Sequence, residues 1–212
     1  MQWSKTIGAA TVAIFTTAGL IGFASGEEAT TTGQEFTAES VVEKATVYTV
    51  DPVHSFVVFR IKHLDVSYAY GRFNEMSGEF NIDDADPAAS SLEIEIKTES
   101  VDTANTNRDE HLRSPDFFDV RQYPTAKFKS TEIRSVGENR YEVKGDLSFH
   151  GETKPVTVTL VHVGESDTRR GRRSGVESTF TIDRGAYGMG FMEGMLGDEV
   201  TVTVALEGIE KK

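Results

Sequence analysis

Beyond about residue 46 the chain alternates apolar and polar side chains in run after run, with Gly, Asp, Asn and Pro between the runs. A period of two puts successive side chains on opposite faces of an extended backbone, so each run predicts a half-buried β-strand. The clearest is Ser91 to Ser100, where Leu92, Ile94, Ile96 and Thr98 share one face and Glu93, Glu95, Lys97 and Glu99 the other. Val200, Val202, Val204 and Leu206 repeat the pattern, as do Val156, Val158, Leu160 and His162, and Tyr141, Val143, Gly145, Leu147 and Phe149. Further strands are expected at His54 to His63, Gly71 to Ile82, Thr125 to Arg134 and Gly175 to Arg184, with a short leading one at Thr46 to Asp51, which makes eight or nine. Connections of hairpin length, such as residues 137–139 and 150–153, make neighbours pair antiparallel. An all-β meander of this kind closes into an up-and-down barrel or packs as a sandwich, and barrel closure also removes the exposed edges.

One segment breaks the rhythm. Residues 107–118 have no period-two face, are rich in helix formers, and contain Pro115, which ends or bends a helix. A short helical insertion is expected there. Phe117 and Phe118 are too apolar for a solvated loop and should pack against one mouth of the barrel.

The N-terminal region reads differently. Lys5 precedes an uncharged apolar stretch from Ile7 to Ala24 that ends in Ala24, Ser25 and Gly26. That order fits a secretory signal peptide over residues 1–26, with an uncleaved membrane anchor as the alternative. Residues 27–45 are polar and acidic and read as a flexible linker, leaving one folded domain over 46–212.

Composition narrows the chemistry. A formal charge of −12, from 22 basic and 34 acidic residues, disfavours nucleic acid, whose binding relies on clustered Lys and Arg. The absence of cysteine excludes disulfides, thiolate nucleophiles and Cys-based metal sites. The five histidines show no helical i, i+4 pair, so neither a metal nor another cofactor is expected. His63 is either a hydrogen-bonded core residue or a polar contact at the end of a cavity. Residues 185–194 are glycine-rich, but their G-x-G-x-x-x-G spacing between antiparallel strands is not a dinucleotide loop. Their Tyr and Met content makes them either a cover that completes the core or a flap over an apolar ligand. Arg169, Arg170, Arg172 and Arg173 crowd one hairpin, which reads as a solvated turn and is the one place where attraction to an anionic membrane would reside. No G-x-S-x-G or H-E-x-x-H signature is present.

Several phrases together resemble the YceI family of lipocalin-like, polyisoprenoid-binding proteins. They are Tyr48 to Phe56 (YTVDPVHSF), Phe59 to Ser67 (FRIKHLDVS), Gly71-Arg72-Phe73 with Gly78, and Ser100 to Thr103. Arg108 to Asp119 (RDEHLRSPDFFD) is the most specific, followed by Tyr123-Pro124 with Phe128, Gly145 to Val156, and Asp183-Arg184 with Tyr187-Gly188. Departures are Asp65, the basic loop at 165–174 and the methionine content of 185–197. The resemblance implies a lipocalin-like barrel holding a long amphiphile such as a polyisoprenoid, an isoprenoid quinone or a fatty-acid amide. It also implies a periplasmic or secreted, stress-related protein with no established catalytic step.

An eight-stranded barrel has an interior just wide enough for one slender ligand. On this reading the lining comes from Phe59, Ile61, Phe73 and Phe80 in the first strands, and from Ile94, Ile96 and Phe128 in the next. Leu147, Phe149, Val158, Leu160, Phe180 and Val202 complete it, with Phe117, Met189, Phe191 and Met192 closing a mouth. His63, Arg108, His111 and Arg113 are the candidates for holding a polar head group. The expected partner is an amphiphilic lipid, with no nucleic acid and no stable membrane insertion once the signal is removed. A homodimer through an exposed strand stays open. A lipid-modifying barrel enzyme and a structural envelope module are the competing functions.

Overall fold

The computed structural model describes residues 46–212; the expected export signal and acidic linker lie outside the described residues. The strands are β1 (Tyr48–Val50), β2 (Phe56–His63), β3 (Ser67–Phe73), β4 (Met76–Asn81), β5 (Ser91–Lys97) and β6 (Val101–Asp102), then β7 (Thr125–Gly137), β8 (Arg140–Phe149), β9 (Glu152–Thr168), β10 (Gly171–Asp183) and β11 (Leu196–Glu210). A single helix of α type among the described residues, α1 (Thr106–Arg113), lies between β6 and β7. Spatially the order runs β1-β4-β5-β7-β8-β9-β10-β11, and β11 returns to β1, closing an antiparallel ring of eight strands.

The eleven segments amount to eight long strands because two of them are interrupted. β11 pairs with β1 from Tyr48↔Glu210 to Val50↔Gly208, then with β2 from Phe56↔Ala205 to His63↔Leu196, so β1 and β2 are consecutive halves of one barrel strand. Likewise β3 lies beside β2 and β4 beside β1, so these two form the next strand round. The break between β1 and β2 falls at Pro52, which has no N–H to give to a ladder. That corner is pinned by polar contacts. The Asp51 carboxylate accepts from the Val53 N–H (3.1 Å), from His54 Nδ1 (2.9 Å) and from Arg173 Nη1 (2.9 Å), and Arg173 also bridges to Glu207. The hydrogen bond from His54, followed by that from Arg173, holds the Asp51 carboxyl down to about 2. Asp51, His54 and Glu207 bring potential metal-ligand atoms within 4.8 Å of one another. The Arg173 guanidinium already bridges the two carboxylates and supplies the cation there.

One end of the barrel is plugged. Tyr48 and Phe80, at most 1% exposed, stack with ring centroids 5.6 Å apart beneath the ends of β5 and β11. Gly208 permits this approach: a Cβ there would lie 2.6 Å from the Cβ of Tyr48 and 2.7 Å from the Phe80 ring. The Tyr48 hydroxyl donates to Glu165 (2.9 Å) and that of Tyr141 to Asp84, so both buried phenols have partners. Burial, reinforced by these carboxylates, pushes both phenols up, Tyr141 to about 12.

The opposite end carries the helical insertion. Asn105 caps α1 by accepting the Arg108 N–H, and the helix stops at Ser114, just before Pro115. The insertion was expected over 107–118, but its second half is a series of turns. Two other boundaries differ from expectation. The β9–β10 hairpin runs on to Thr168 and Gly171, beyond the apolar alternation, with Arg169 and Arg170 at its tip. β3 starts at Ser67 rather than Gly71 because its alternation is inverted. Tyr68 and Tyr70 point outward, and the inward positions are the small Ala69 and Gly71, the latter where a Cβ would overlap the Phe59 ring.

Two outcomes follow. Phe80→Ala should cost about 3–5 kcal/mol in urea unfolding, because a fully enclosed aromatic leaves a cavity that the ring of strands cannot collapse to fill. Asp51 contributes stability that is present above about pH 4 and lost as pH falls toward 2, since its folded carboxyl lies below the ordinary value. The stability gap between wild type and Asp51→Asn should therefore shrink over that interval, as read by urea midpoints.

Candidate ligand-binding site

Lumen-facing residues of the ring enclose a cavity of about 200 Å³. On β11 its walls run from Leu196 to Leu206. Because β11 bulges between Leu196 and Val200, this span is worth about eight regular steps of about 3.3 Å, which on strands tilted about 40° to the axis make a channel roughly 20 Å long. For comparison, an engineered cavity of about 150 Å³ lined by aliphatic and aromatic groups stays dry and accepts benzene. Spread over that length, the present volume is narrow and suits a single hydrocarbon chain better than a compact ring system.

The wall offers almost no polar handle. Among the described residues its only hydroxyl belongs to Ser178, which donates to the Thr159 carbonyl (2.8 Å). Lys127 contributes from an exposed position, with its ammonium 2.8 Å from Glu95. Arg184, 3% exposed, borders the cavity near the mouth, but its donors are committed. Nε donates to the Gly197 carbonyl (2.9 Å), Nη1 to those of Met189 (2.6 Å) and Phe191 (2.7 Å), and Nη2 to that of Leu196 (3.4 Å). Arg184 thus gathers the 189–197 loop around one buried guanidinium. That loop meets the helical insertion through three rings: Phe191 lies 5.3 Å from Phe117 and 5.4 Å from His111, and His111 lies 5.0 Å from Phe117, all edge-on.

Of the residues expected to line the lumen, Phe59, Ile61, Phe73, Ile94, Ile96, Phe117, Phe128, Leu147, Phe149, Val158, Leu160, Phe180, Met189 and Val202 stand in the cavity wall. Three do not. Phe80 alternates correctly but sits past the end of the channel, packed into the plug against Tyr48. Phe191 is 42% exposed and covers the outside of the mouth. Met192 takes a left-handed backbone (φ 57°) in the outer turn of its loop. The proposed head-group residues do not converge on the lumen either. Arg108 donates to the hydroxyl and carbonyl oxygens of Thr103 (both 2.8 Å), and Arg113 to the carbonyls of Glu99 and Val101 (both 2.7 Å). Both arginines therefore tie α1 to the chain leading into it. His111 contacts Asp116 (2.9 Å), and His63, at the end of β2, borders no part of the cavity.

Further wall residues escaped the sequence reading. Val57, Leu92, Val176, Ile182, Val200, Val204 and Leu206 merely extend faces already visible and could have been found by following each alternation to its ends. Phe118 was expected to pack against the mouth and does; Arg184 continues the parity of Phe180 and Ile182 but as a charged residue does not read as lining, and Leu112 lies on the helix, off any period-two run. Replacing Arg184 with Leu leaves four carbonyls without their donor, at about 1–3 kcal/mol for a buried group left unsatisfied. Amide exchange over residues 185–197 should then quicken at least several-fold while β8 and β9 keep their protection, as read by hydrogen–deuterium exchange.

The sequence profile of the YceI-like domain matches residues 48–208, the whole ring. A Pseudomonas aeruginosa protein described only as a UPF0312 protein is 37% identical over 193 residues, covering 91% of this chain and 97% of the relative. Among solved structures, Burkholderia cenocepacia BcnA superposes with a TM-score of 0.69 at 26% identity, covering 74% of this chain and 98% of that one. A polyisoprenoid-binding domain from Saccharophagus degradans, implicated in plant cell wall breakdown, shares the fold with a TM-score of 0.63 at 20% identity, over 77% and 98% of the two chains. With its barrel matched from the first strand to the last, the chain belongs to the YceI-like domain family.

Proposed function

We propose that this protein is a non-catalytic lipid carrier that holds one long hydrocarbon tail in its barrel, with the polar head left at the mouth formed by Phe117, Phe191 and Met189. The observation that carries this reading is the roughly 20 Å apolar channel, whose few polar groups are already bonded to the protein. A buried head group would find no donor or acceptor free there, whereas each CH₂ transferred from water gains about 0.8 kcal/mol. About ten enclosed carbons would then supply roughly 8 kcal/mol before the cost of immobilising ligand and protein. An unbranched or isoprenoid chain fits the channel's narrowness, and the Saccharophagus degradans neighbour bears the name of a polyisoprenoid-binding domain. A polyisoprenoid or an isoprenoid quinone is accordingly the favoured ligand class. The apolar segment at 7–24 supports a periplasmic or secreted place of work, where a lipid must cross water between membranes.

Protein purified from its native host should release an unchanged lipid when gentle and then denaturing mass spectrometry are compared. Val202 lies mid-channel, opposite Phe59 on β2 and Phe180 on β10. Val202→Trp should fill that point, lowering lipid occupancy at least tenfold without loss of the folded barrel by circular dichroism. Consistent recovery of empty wild-type protein, or undiminished loading of the variant, would overturn the reading; a chemically converted lipid would favour an enzyme.

A further inference from the structure

The mouth end of the barrel carries an exposed apolar group that the channel does not use. The β2–β3 turn presents Leu64 (47% exposed) and Val66 (81%), and Met195 (47%) of the neighbouring loop is fastened beside them by the Leu64 N–H, which donates to its carbonyl (2.8 Å). Behind this tip, on the outer face of β3, stand Tyr68 (51%) and Tyr70 (57%). Opposite them on β2 are two cations: Lys62 faces Tyr68 and Arg60 faces Tyr70. The Arg60 guanidinium lies 4.6 Å over the Tyr68 ring and has no carboxylate partner among the described residues, while Lys62 pairs with the exposed Asp65 (2.8 Å).

Aliphatic tip, tyrosine band and flanking cations, in that order along one hairpin, follow the polarity profile from acyl chains through the interface to anionic head groups. We propose that this hairpin is a docking surface for an anionic lipid bilayer, seating the mouth of the channel on the membrane. The purpose rests on the lipid-carrier reading; the docking is physically separate from it. The occupant follows from charge as well as apolarity. In a chain of net charge −12, Arg60 without a carboxylate partner among the described residues, and Lys62 shared with the single acid Asp65, leave a net positive charge behind the apolar tip that selects an anionic surface. The arginine-rich hairpin, where the sequence alone would put such attraction, is at the opposite end, and Arg172 and Arg173 are spent on Glu165, Asp51 and Glu207. The edge of β3 ahead of Arg72 has no strand partner among the described residues, so a second copy of the chain is the competing occupant, but edge pairing of that kind would leave the cations of β2, one strand further in, unused.

The chain contains no cysteine, so single labels can be placed at will. Because the ring closes within residues 48–210, the chain from Glu27 onward can be used, which omits the apolar segment that would itself enter bilayers. An environment-sensitive fluorophore on Val66→Cys should shift to the blue and become shielded from iodide when vesicles of phosphatidylcholine with phosphatidylglycerol are added. The same label on Arg169→Cys should not respond. Adding Arg60→Glu and Lys62→Glu to the Val66 label should raise the vesicle concentration required by about 25-fold or more, at roughly fivefold per cation. A silent label at 66, an equal response at 169, or a shift at 66 produced by raising protein concentration without vesicles would overturn the proposal. Lipid occupancy by mass spectrometry is read separately, so an empty channel with intact docking, or the reverse, tells the two readings apart.

Discussion

Ring closure by β11 is the constraint on which the rest of the structure depends. Fifteen residues long, it must hydrogen-bond to β10 along one side and to both β1 and β2 along the other. Without that double partnership the meander would be an open sheet with two free edges, exposed to solvent and to other chains. With it, every inward side chain faces a lumen rather than a second sheet. The interruption at Asp51–Ser55 is then a bend in one barrel strand, and its network of Asp51, His54, Arg173 and Glu207 fastens the seam where the first strand meets the last two.

Closing eight strands leaves an interior just wide enough to be filled or to hold something thin, and the two ends resolve that choice differently. At one end Tyr48 and Phe80 fill it, held by strands and by Gly208's lack of a side chain. At the other, the covering groups come from two connections rather than from the ring. The loop gathered by Arg184 and the turns after α1 touch through Phe117, His111 and Phe191. Contacts between loops can part without breaking any strand pairing, so opening at this end is far less costly than global unfolding. The asymmetry gives the barrel one end filled from the strands and one end covered by loops, and it sets the exposed β2–β3 hairpin beside the loop-covered end.

Much of this was legible in the alternation. Ile94 and Ile96, Leu147 and Phe149, and Val158 and Leu160 were assignable to the lumen because a strand has two faces and the polar one was plainly outside. The reading failed where apolarity and direction part company. Tyr68 and Tyr70 are large and face out because Phe59 occupies the space beside Gly71. Phe80 faces in but lies below the channel floor. Arg108 and Arg113 look like anion binders as residue types, yet each is consumed by carbonyls within a dozen or so residues. Arg184 had the opposite fate: it continues the inward parity of Phe180 and Ile182, yet a charged residue at a strand end does not announce that it will organise the mouth.

By itself the sequence determined most of the strands, their antiparallel succession, the helical interruption and the apolar face that each of those strands must bury, β3 and β6 being the exceptions. These follow from local geometry, because the direction of a side chain on a strand is fixed by its parity. Tertiary structure alone decided where along each face the channel ends, which end is covered by loops rather than filled from the strands, and which charged side chains remain free. Those answers depend on register between strands remote in the chain, such as β1 against β11, and on which carbonyl or carboxylate happens to stand opposite a given arginine. Parity carries no information about either.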